Sequence, residues 1–279
     1  MRRRRSSRVR HGASVQPRSR GSDGGVMFDG GMSVLQTVRA VLEERLALMA
    51  PARRLRLREA ERTLDAYAAG RPLRVLDAGC GDGLLTLTAA KRRPRWRLLG
   101  VDLREDLLAG ARQRAAGRGL GNVEFEAADL LRPLPFEGFD AVIALECLSE
   151  IPDDEAALRA LFGAAAPGAL VAVQVPDRDW RPVLPGSATT WREQVRQGYT
   201  PEELEALLAK AGLTEIETRR TYRSLAAAAQ EIRDRIKARS VWLRALAFPL
   251  LAAAVRLEHL GLTWGRPNAI FASGRRPPQ

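Results

Sequence analysis

Three aspartates, each standing where an apolar run ends, are the first residues of this sequence with the types and spacing to do chemistry. The run Leu73 to Leu76 ends at Asp77 and passes directly into Ala78-Gly79-Cys80-Gly81-Asp82-Gly83, after which a helix begins near Leu84. A glycine-rich turn between a strand and a helix admits positive φ and lets backbone approach a ligand closely, because no Cβ stands in the way. Nineteen residues past Gly83 a second run ends at Asp102, whose carboxylate can accept hydrogen bonds from both ribose hydroxyls of an adenosine. The third, Asp129, follows Val123-Glu124-Phe125-Glu126-Ala127-Ala128 and is placed to accept from an adenine amino group. The loop and Asp102 alone suit a nicotinamide dinucleotide equally well. Two features tilt the choice away from it: the glycines are spaced Gly-x-Gly-x-Gly instead of Gly-x-Gly-x-x-Gly, and Asp129 adds a third acid.

Positioning such residues requires strands that end side by side. Runs at Leu73–Asp77, Arg97–Asp102, Val123–Ala127, Phe139–Leu145 and Ala169–Val175 alternate with helical patterns, which is the signature of a parallel sheet covered on both faces. In the helix after Asp102, Leu107, Leu108, Ala111 and Ala115 share a face; in a later one Asp153 caps a helix that carries Leu158, Leu161 and Phe162 inward. Thr200-Pro201-Glu202-Glu203 is a capping box with proline at the first helical position, Leu204, Leu207, Leu208 and Ala211 form the buried stripe, and Gly212 stops the helix. Thr214–Thr221 reads as a weaker strand, about 223–260 as one long helical segment, and Asn268–Ser273 as a last strand. Upstream, Val34, Leu35, Val38, Val41, Leu42 and Leu46 recur at helical spacing, and a second helix spans about Arg53 to Ala69.

The ordered set resembles class I S-adenosylmethionine-dependent methyltransferases. Val75-Leu76-Asp77-Ala78-Gly79-Cys80-Gly81-Asp82-Gly83 looks like the family's first motif, Gly100-Val101-Asp102 like its second and Ala128-Asp129-Leu130 like its third. Phe139-Asp140-Ala141-Val142-Ile143 resembles the fourth strand and Glu146-Cys147-Leu148-Ser149-Glu150-Ile151 the loop after it; the match runs over roughly residues 73–220. The resemblance implies a Rossmann-like α/β fold: a seven-stranded, mostly parallel sheet with helices on both faces, and Asn268–Ser273 as its final antiparallel strand. It implies S-adenosylmethionine as cofactor. Gly79 and Gly81 would let backbone approach the methionine part, Asp77 would orient that part, Asp102 would hold the ribose and Asp129 the adenine. Glu146 would lie beside the cofactor, and the neighbouring Leu103 and Leu130 complete the contacts. One position departs from the pattern: many members carry a histidine in the loop after the fourth strand, where this chain has Glu150, expected to be a solvated or structural residue and no base.

The acceptor is expected to be a small molecule. The Asn/Asp-Pro-Pro-aromatic motif of exocyclic-amine methylation is absent at Ala144-Leu145-Glu146-Cys147-Leu148, and Cys147 lacks the preceding proline of cytosine carbon methylation, so it reads as a packing residue. In-line methyl transfer needs alignment and water exclusion more than a strong base. Histidine offers little: only His11 and His259 occur, and His259 reads as a surface or packing residue. The N-terminal helices and the 223–260 segment are expected to wall the acceptor pocket, with Trp180, Trp191, Tyr199 and Tyr222 beside it.

Charge and composition narrow the partners. Of the net charge of +12, the first twenty residues supply eight arginines and no acid, so the body is only mildly basic and nucleic acid is not the expected partner. Residues 1–31 read as a disordered, solvated basic tail, with Met27 and Met32 as alternative starts; 32–72 as an N-terminal helical segment; and 73–279 as the catalytic domain with its helical insertion near 223–260. Cys80 and Cys147 form neither a disulfide framework nor a zinc spacing, which fits a reducing cytoplasm and no metal. No signal peptide is visible, and the apolar run Ala245–Val255 is far short of the roughly 20 residues a spanning helix needs. Trp242, Leu243, Leu246, Phe248, Leu250 and Leu251 sit among arginines; they are assigned to core packing in preference to an interfacial helix on a membrane surface.

Overall fold

The seven strands follow from the apolar runs, and their order places every Asp-bearing strand end on one edge of the sheet. A computed structural model describes residues 51–187, 194–221, 224–237, 241–259 and 267–278. The strands are β1 (Arg74–Ala78), β2 (Arg97–Asp102), β3 (Val123–Ala127), β4 (Phe139–Leu145), β5 (Ala165–Pro176), β6 (Thr214–Thr221) and β7 (Ala269–Arg275). They lie in the order β3-β2-β1-β4-β5-β7-β6. The first five run parallel, and β7 runs antiparallel to both β5 and β6. This is the Rossmann-like sheet expected from the sequence, with β1 central and the strand order reversing beside it, between β1 and β4.

Among the described residues seven α-helices accompany these strands: α1 (Pro51–Ala68), α2 (Leu84–Arg92), α3 (Glu105–Gly117), α4 (Asp154–Ala164), α5 (Pro201–Lys210), α6 (Ser224–Lys237) and α7 (Val241–His259). Strand residues alternate between two cores, which explains why the runs are continuously apolar. Val75, Leu98, Ala141, Ile143 and Phe271 face one cluster with Ala60 and Leu64 of α1 and Leu85 and Ala89 of α2. Leu76, Val101, Val142, Val173 and Ala272 face the other, with Leu158 and Leu161 of α4 and Leu204 and Leu208 of α5. Each fully buried Leu or Ile contributes about 1.5–3 kcal/mol, so a one-residue slip of any central strand forfeits both layers. The caps form as read: Asp153 accepts from the Ala156 amide, and Thr200 and Glu203 complete the capping box.

Three differences from the sequence reading have local causes. Strand β1 runs one residue past Asp77, because Ala78 pairs with both Val101 and Ala144. Strand β5 begins four residues early, at Ala165, which pairs with Phe139 before the register shifts. The single late helical segment is described as two helices, α6 and α7, packed on each other, and a carboxylate oxygen of Glu258 in α7 accepts the Ala226 amide in the first turn of α6. The tail at 1–31, the helix read over Val34–Leu46, Trp191 and Tyr222 lie outside the described residues.

Helix α1 is fixed to the domain by charge. Buried Glu61 accepts from Arg92 and Arg93 of and after α2, while Asp65 takes a two-pronged contact from Arg93 at 2.7 and 2.6 Å. At its other side Arg219 of β6 donates to Glu59 and Thr63. These bonds fix the middle and last turns of α1 between α2 and β6.

Candidate functional site

The turn after β1 owes its shape to two close approaches. Gly79 has φ of +70°, and a Cβ there would stand 2.6 Å from Cys147 Cβ and 2.9 Å from its Sγ. Gly83, with φ of +73°, is pressed by the Phe125 ring, 2.7 Å from where its Cβ would be. Between them the amides turn inward: Gly79 and Cys80 N–H both donate to the Val101 carbonyl, at 2.8 and 2.9 Å, and Gly83 N–H donates to the Cys80 carbonyl. The Gly81 amide donates to Asp102 Oδ2 at 2.8 Å. Over Gly81 itself the space is open; a Cβ there meets only the Arg104 guanidinium, at 3.9 Å.

That bonding bears on which nucleotide the loop suits. A dinucleotide's pyrophosphate is bound by free loop amides and a helix N-terminus. Here the amides of Gly79, Cys80, Gly81 and Gly83 are already spent within the protein, and the carboxylates of Asp77, Asp82, Asp102 and Asp129 line the same cleft. Against these carboxylates, at the loop, an anion meets repulsion, whereas the hydroxyl and amino donors of a ligand meet acceptors.

All eight residues singled out in the sequence line this one cleft, of about 890 Å³: Asp77, Gly79, Gly81, Asp102, Leu103, Asp129, Leu130 and Glu146. Asp77 is buried, and Thr86 Oγ1 donates to its Oδ2 at 2.5 Å. Burial pushes its carboxyl up to about 6, against the hydroxyl and amide of Thr86, which pull it down; the charges of Asp102 and Asp82 add to the rise. Asp102 Oδ1 accepts the Arg104 amide at 3.0 Å, which together with the Gly81 contact fixes its rotamer at the end of β2. Asp129 closes a small turn by accepting the Leu131 amide at 2.9 Å. Leu103 is 73% exposed at the rim, and Leu130 is buried beneath it.

Glu146 sits at the end of β4 with φ of +64°, a conformation that costs a non-glycine residue about 1–3 kcal/mol. Gln174 of β5 holds it there twice: its carbonyl accepts the Glu146 amide at 2.7 Å and its Nε2 donates to Glu146 Oε1 at 2.7 Å. Cys147 next to it packs against Gly79, its Sγ 3.5 Å from the Ala78 carbonyl oxygen. Burial first, then the charge of Asp77, pushes its thiol up to about 12, and the Cys80 thiol is driven higher still for the same two reasons. Both are packing groups in this state and poor nucleophiles.

The N-terminal helix expected to wall the pocket does so through residues the sequence does not single out: Arg53, Arg56 and Leu57 of α1 line the cleft, and Arg53 pairs with Asp82 of the loop. Arg104, exposed beside Asp102, and the exposed Glu150 and Pro152 with half-buried Ile151 between them complete the opening. Two expectations are corrected. Tyr199 does not face the cleft: it is fully buried, its ring under the Arg196 guanidinium at 4.1 Å and its hydroxyl donating to Asp154 at 2.9 Å. Nor do Trp180 or the described residues of 223–260 line the cleft, although Ala252 and Arg256 of α7 line a neighbouring cavity. The side chain of His259 lies outside what is described.

Comparison with known proteins decides the family. The family described as "Methyltransferase domain" matches residues 70–227, more than half of the chain and the whole of the β1 to β6 region. The chain belongs to the class I S-adenosylmethionine-dependent methyltransferases. It is 35% identical over 128 residues to trans-aconitate 2-methyltransferase of Variovorax paradoxus, covering 46% of this chain and 48% of that protein. It is 32% identical over 180 residues to demethylmenaquinone methyltransferase of Thermus thermophilus, covering 57% of this chain and 82% of that one. The chain thus spans about half the length of the first of these relatives. Among solved structures, a SAM-dependent methyltransferase of Thermotoga maritima, described as a possible histamine N-methyltransferase, superposes with a TM-score of 0.56 at 16% identity, over 85% of this methyltransferase and 95% of that chain, and shows the shared fold.

Proposed function

We propose that this protein transfers a methyl group from S-adenosylmethionine to a small-molecule acceptor entering between the strand ends and α1. The observation that carries the reading is the cleft in which Asp77, Asp102 and Asp129 converge on a loop whose amides are already occupied. Asp102 holds the ribose hydroxyls, with Gly81 and Arg104 keeping its carboxylate in place. Asp129 accepts from the adenine amino group and Leu130 packs below the base, with Leu103 covering it at the rim. Asp77 orients the methionine part over Gly79, and Glu146 flanks it. When bound, the cofactor supplies an activated methyl group on a sulfonium. The chain's own part is alignment and exclusion of water, which is what in-line displacement requires. Both named relatives of known acceptor act on small molecules, a carboxylic acid and a quinone precursor. Arg53 and Arg56 on the open side of the cleft give this chain a cationic wall for an acceptor's anionic or oxygen-bearing end.

Calorimetric titration with S-adenosylmethionine, S-adenosylhomocysteine and NAD in parallel tests the reading. Selective binding of the first two supports it and justifies an acceptor screen that reads S-adenosylhomocysteine release. Binding of NAD alone overturns it.

A further inference from the structure

Helix α7 presents an apolar stripe to solvent where core packing is expected from the sequence. Trp242, Leu246 and Leu250, at i, i+4 and i+8, are 60%, 76% and 77% exposed, and Leu243 and Leu257 extend the same face. Leu251, on another side of the helix, is buried. Large apolar side chains in such a row on a surface mark something that covers them.

Charge beside the stripe says what. A cavity of about 550 Å³ is walled by Arg54 and Arg58 of α1, Arg92 of α2, Arg114 of α3 and Arg118 just after it, and Arg256 of α7, six arginines against two acids. Glu61 is engaged by Arg92, one of the six, and by Arg93 from outside the cavity; Asp82 is engaged by Arg53, also from outside, while Arg114 donates to the Asp82 carbonyl, so arginine still outnumbers acid there. At about 100° per residue, Arg256 stands roughly a quarter-turn around α7 from the centre of the stripe, so the apolar row and the basic cavity adjoin along one helix. The cavity also shares Leu57, Asp82 and Leu84 with the cofactor cleft. An apolar row flanked by arginines is the pattern of a helix lying in a lipid interface, apolar side in the acyl boundary and cations against phosphates. No described helix is long and apolar enough to cross a membrane, so the contact is with its surface.

We propose that α7 is an interfacial helix that docks this protein on an anionic lipid surface, with Trp242, Leu246 and Leu250 in the acyl boundary and the arginine cavity receiving headgroup phosphates. The docked face brings the membrane beside the cofactor cleft, which suits an acceptor or product that partitions into lipid.

The test is flotation of the full chain with vesicles of phosphatidylglycerol and phosphatidylcholine, and with phosphatidylcholine alone, at low and high salt. Wild type floats with the anionic vesicles, and binding weakens at high salt as screening sets in. Leu246→Glu with Leu250→Glu lowers the partition coefficient at least about tenfold, because each buried leucine is worth more than that. Arg54→Gln with Arg58→Gln lowers it about fivefold per arginine. S-adenosylhomocysteine affinity and Tm are read on the same preparations, so failure of docking is distinguishable from failure of the cofactor site. Wild type remaining in the soluble fraction overturns the proposal. Flotation of the leucine variant equal to wild type does so too, and assigns binding to the arginines of residues 1–20. A leucine variant whose Tm collapses also overturns it, because the stripe is then covered by protein, whether residues 33–46 or a second copy.

Discussion

Replacing Gly79 with alanine probes the turn at its tightest point. The new Cβ would sit 2.6 Å from Cys147 Cβ and 2.9 Å from Sγ, and alanine would have to hold φ of +70°. The left-handed conformation costs a residue with a Cβ about 1–2 kcal/mol. Overpacking a filled site adds about 1–3 kcal/mol. The expected loss is therefore about 2–5 kcal/mol, a large share of the 5–15 kcal/mol that holds a domain together. Urea unfolding followed by tryptophan fluorescence reads it as a lower midpoint at unchanged slope. A second substitution separates the two causes. Cys147→Gly removes both atoms that the new Cβ meets, so in that background Gly79→Ala should cost only the backbone part, leaving a coupling of about 1–3 kcal/mol. A loss below about 0.5 kcal/mol, within the range of an ordinary surface substitution, would refute the packing argument. So would an equal loss in the two backgrounds.

Asp77 makes cofactor binding depend on pH. Its carboxyl is raised to about 6 in the free protein, and only the ionised form attracts a cation. S-adenosylhomocysteine affinity should fall as pH drops from 7 to 5, and Asp77→Asn should flatten that profile. The same shift has the opposite sign for stability. An acid raised from 3.8 to about 6 destabilises the fold above 6 and not below 3.8, so the ligand-free protein gains up to about 3 kcal/mol from this group between pH 7 and 4. The Asp77→Asn variant, compared by thermal melts across that range, should lack the gain; an identical pH dependence contradicts it. For Cys147, a thiol pushed up to about 12 leaves only about one molecule in ten thousand as thiolate at pH 8. Iodoacetamide at pH 8 should label the native protein slowly and the unfolded protein quickly; fast labelling of native protein would mean that the thiol is not held as described.

The half of the fold that binds the cofactor was readable because its logic is local. Each strand is a short apolar run, each ends at an acid, and the glycines between β1 and α2 announce a turn that has no room for a Cβ. The register of Asp77, Asp102 and Asp129 on one edge then follows from parallel pairing, since Asp77 lies opposite Gly100 and Asp102 opposite Ala127. What was not readable depends on distant contacts. An N-terminal helix is expected to wall the pocket, but nothing in the spacing of Arg53 and Arg56 singles them out within it; the face that α1 presents is chosen by Glu61 and Asp65 meeting Arg92 and Arg93. Tyr199 carries the composition of a pocket aromatic, yet a half-buried carboxylate partner, Asp154, decides its direction. The stripe on α7 has the content of a core helix, and composition alone does not tell an exposed leucine row from a buried one. Glu146 is the clearest case of tertiary contact over propensity: a left-handed glutamate at a strand end, kept there by Gln174 from the adjacent strand.

The central claim is that the strand-end aspartates hold an adenosine-bearing sulfonium cofactor, and Asp102 tests it most directly. Its carboxylate is held by the Gly81 and Arg104 amides, and once the exposed Arg104 side chain, 3.3 Å away, gives up its contact, lone pairs are left for two hydroxyls. Charge-assisted hydrogen bonds are worth about 1.5–3 kcal/mol each, so Asp102→Ala should weaken S-adenosylhomocysteine binding by at least about a hundredfold in calorimetry. Wild-type affinity in a folded Asp102→Ala protein would contradict the account.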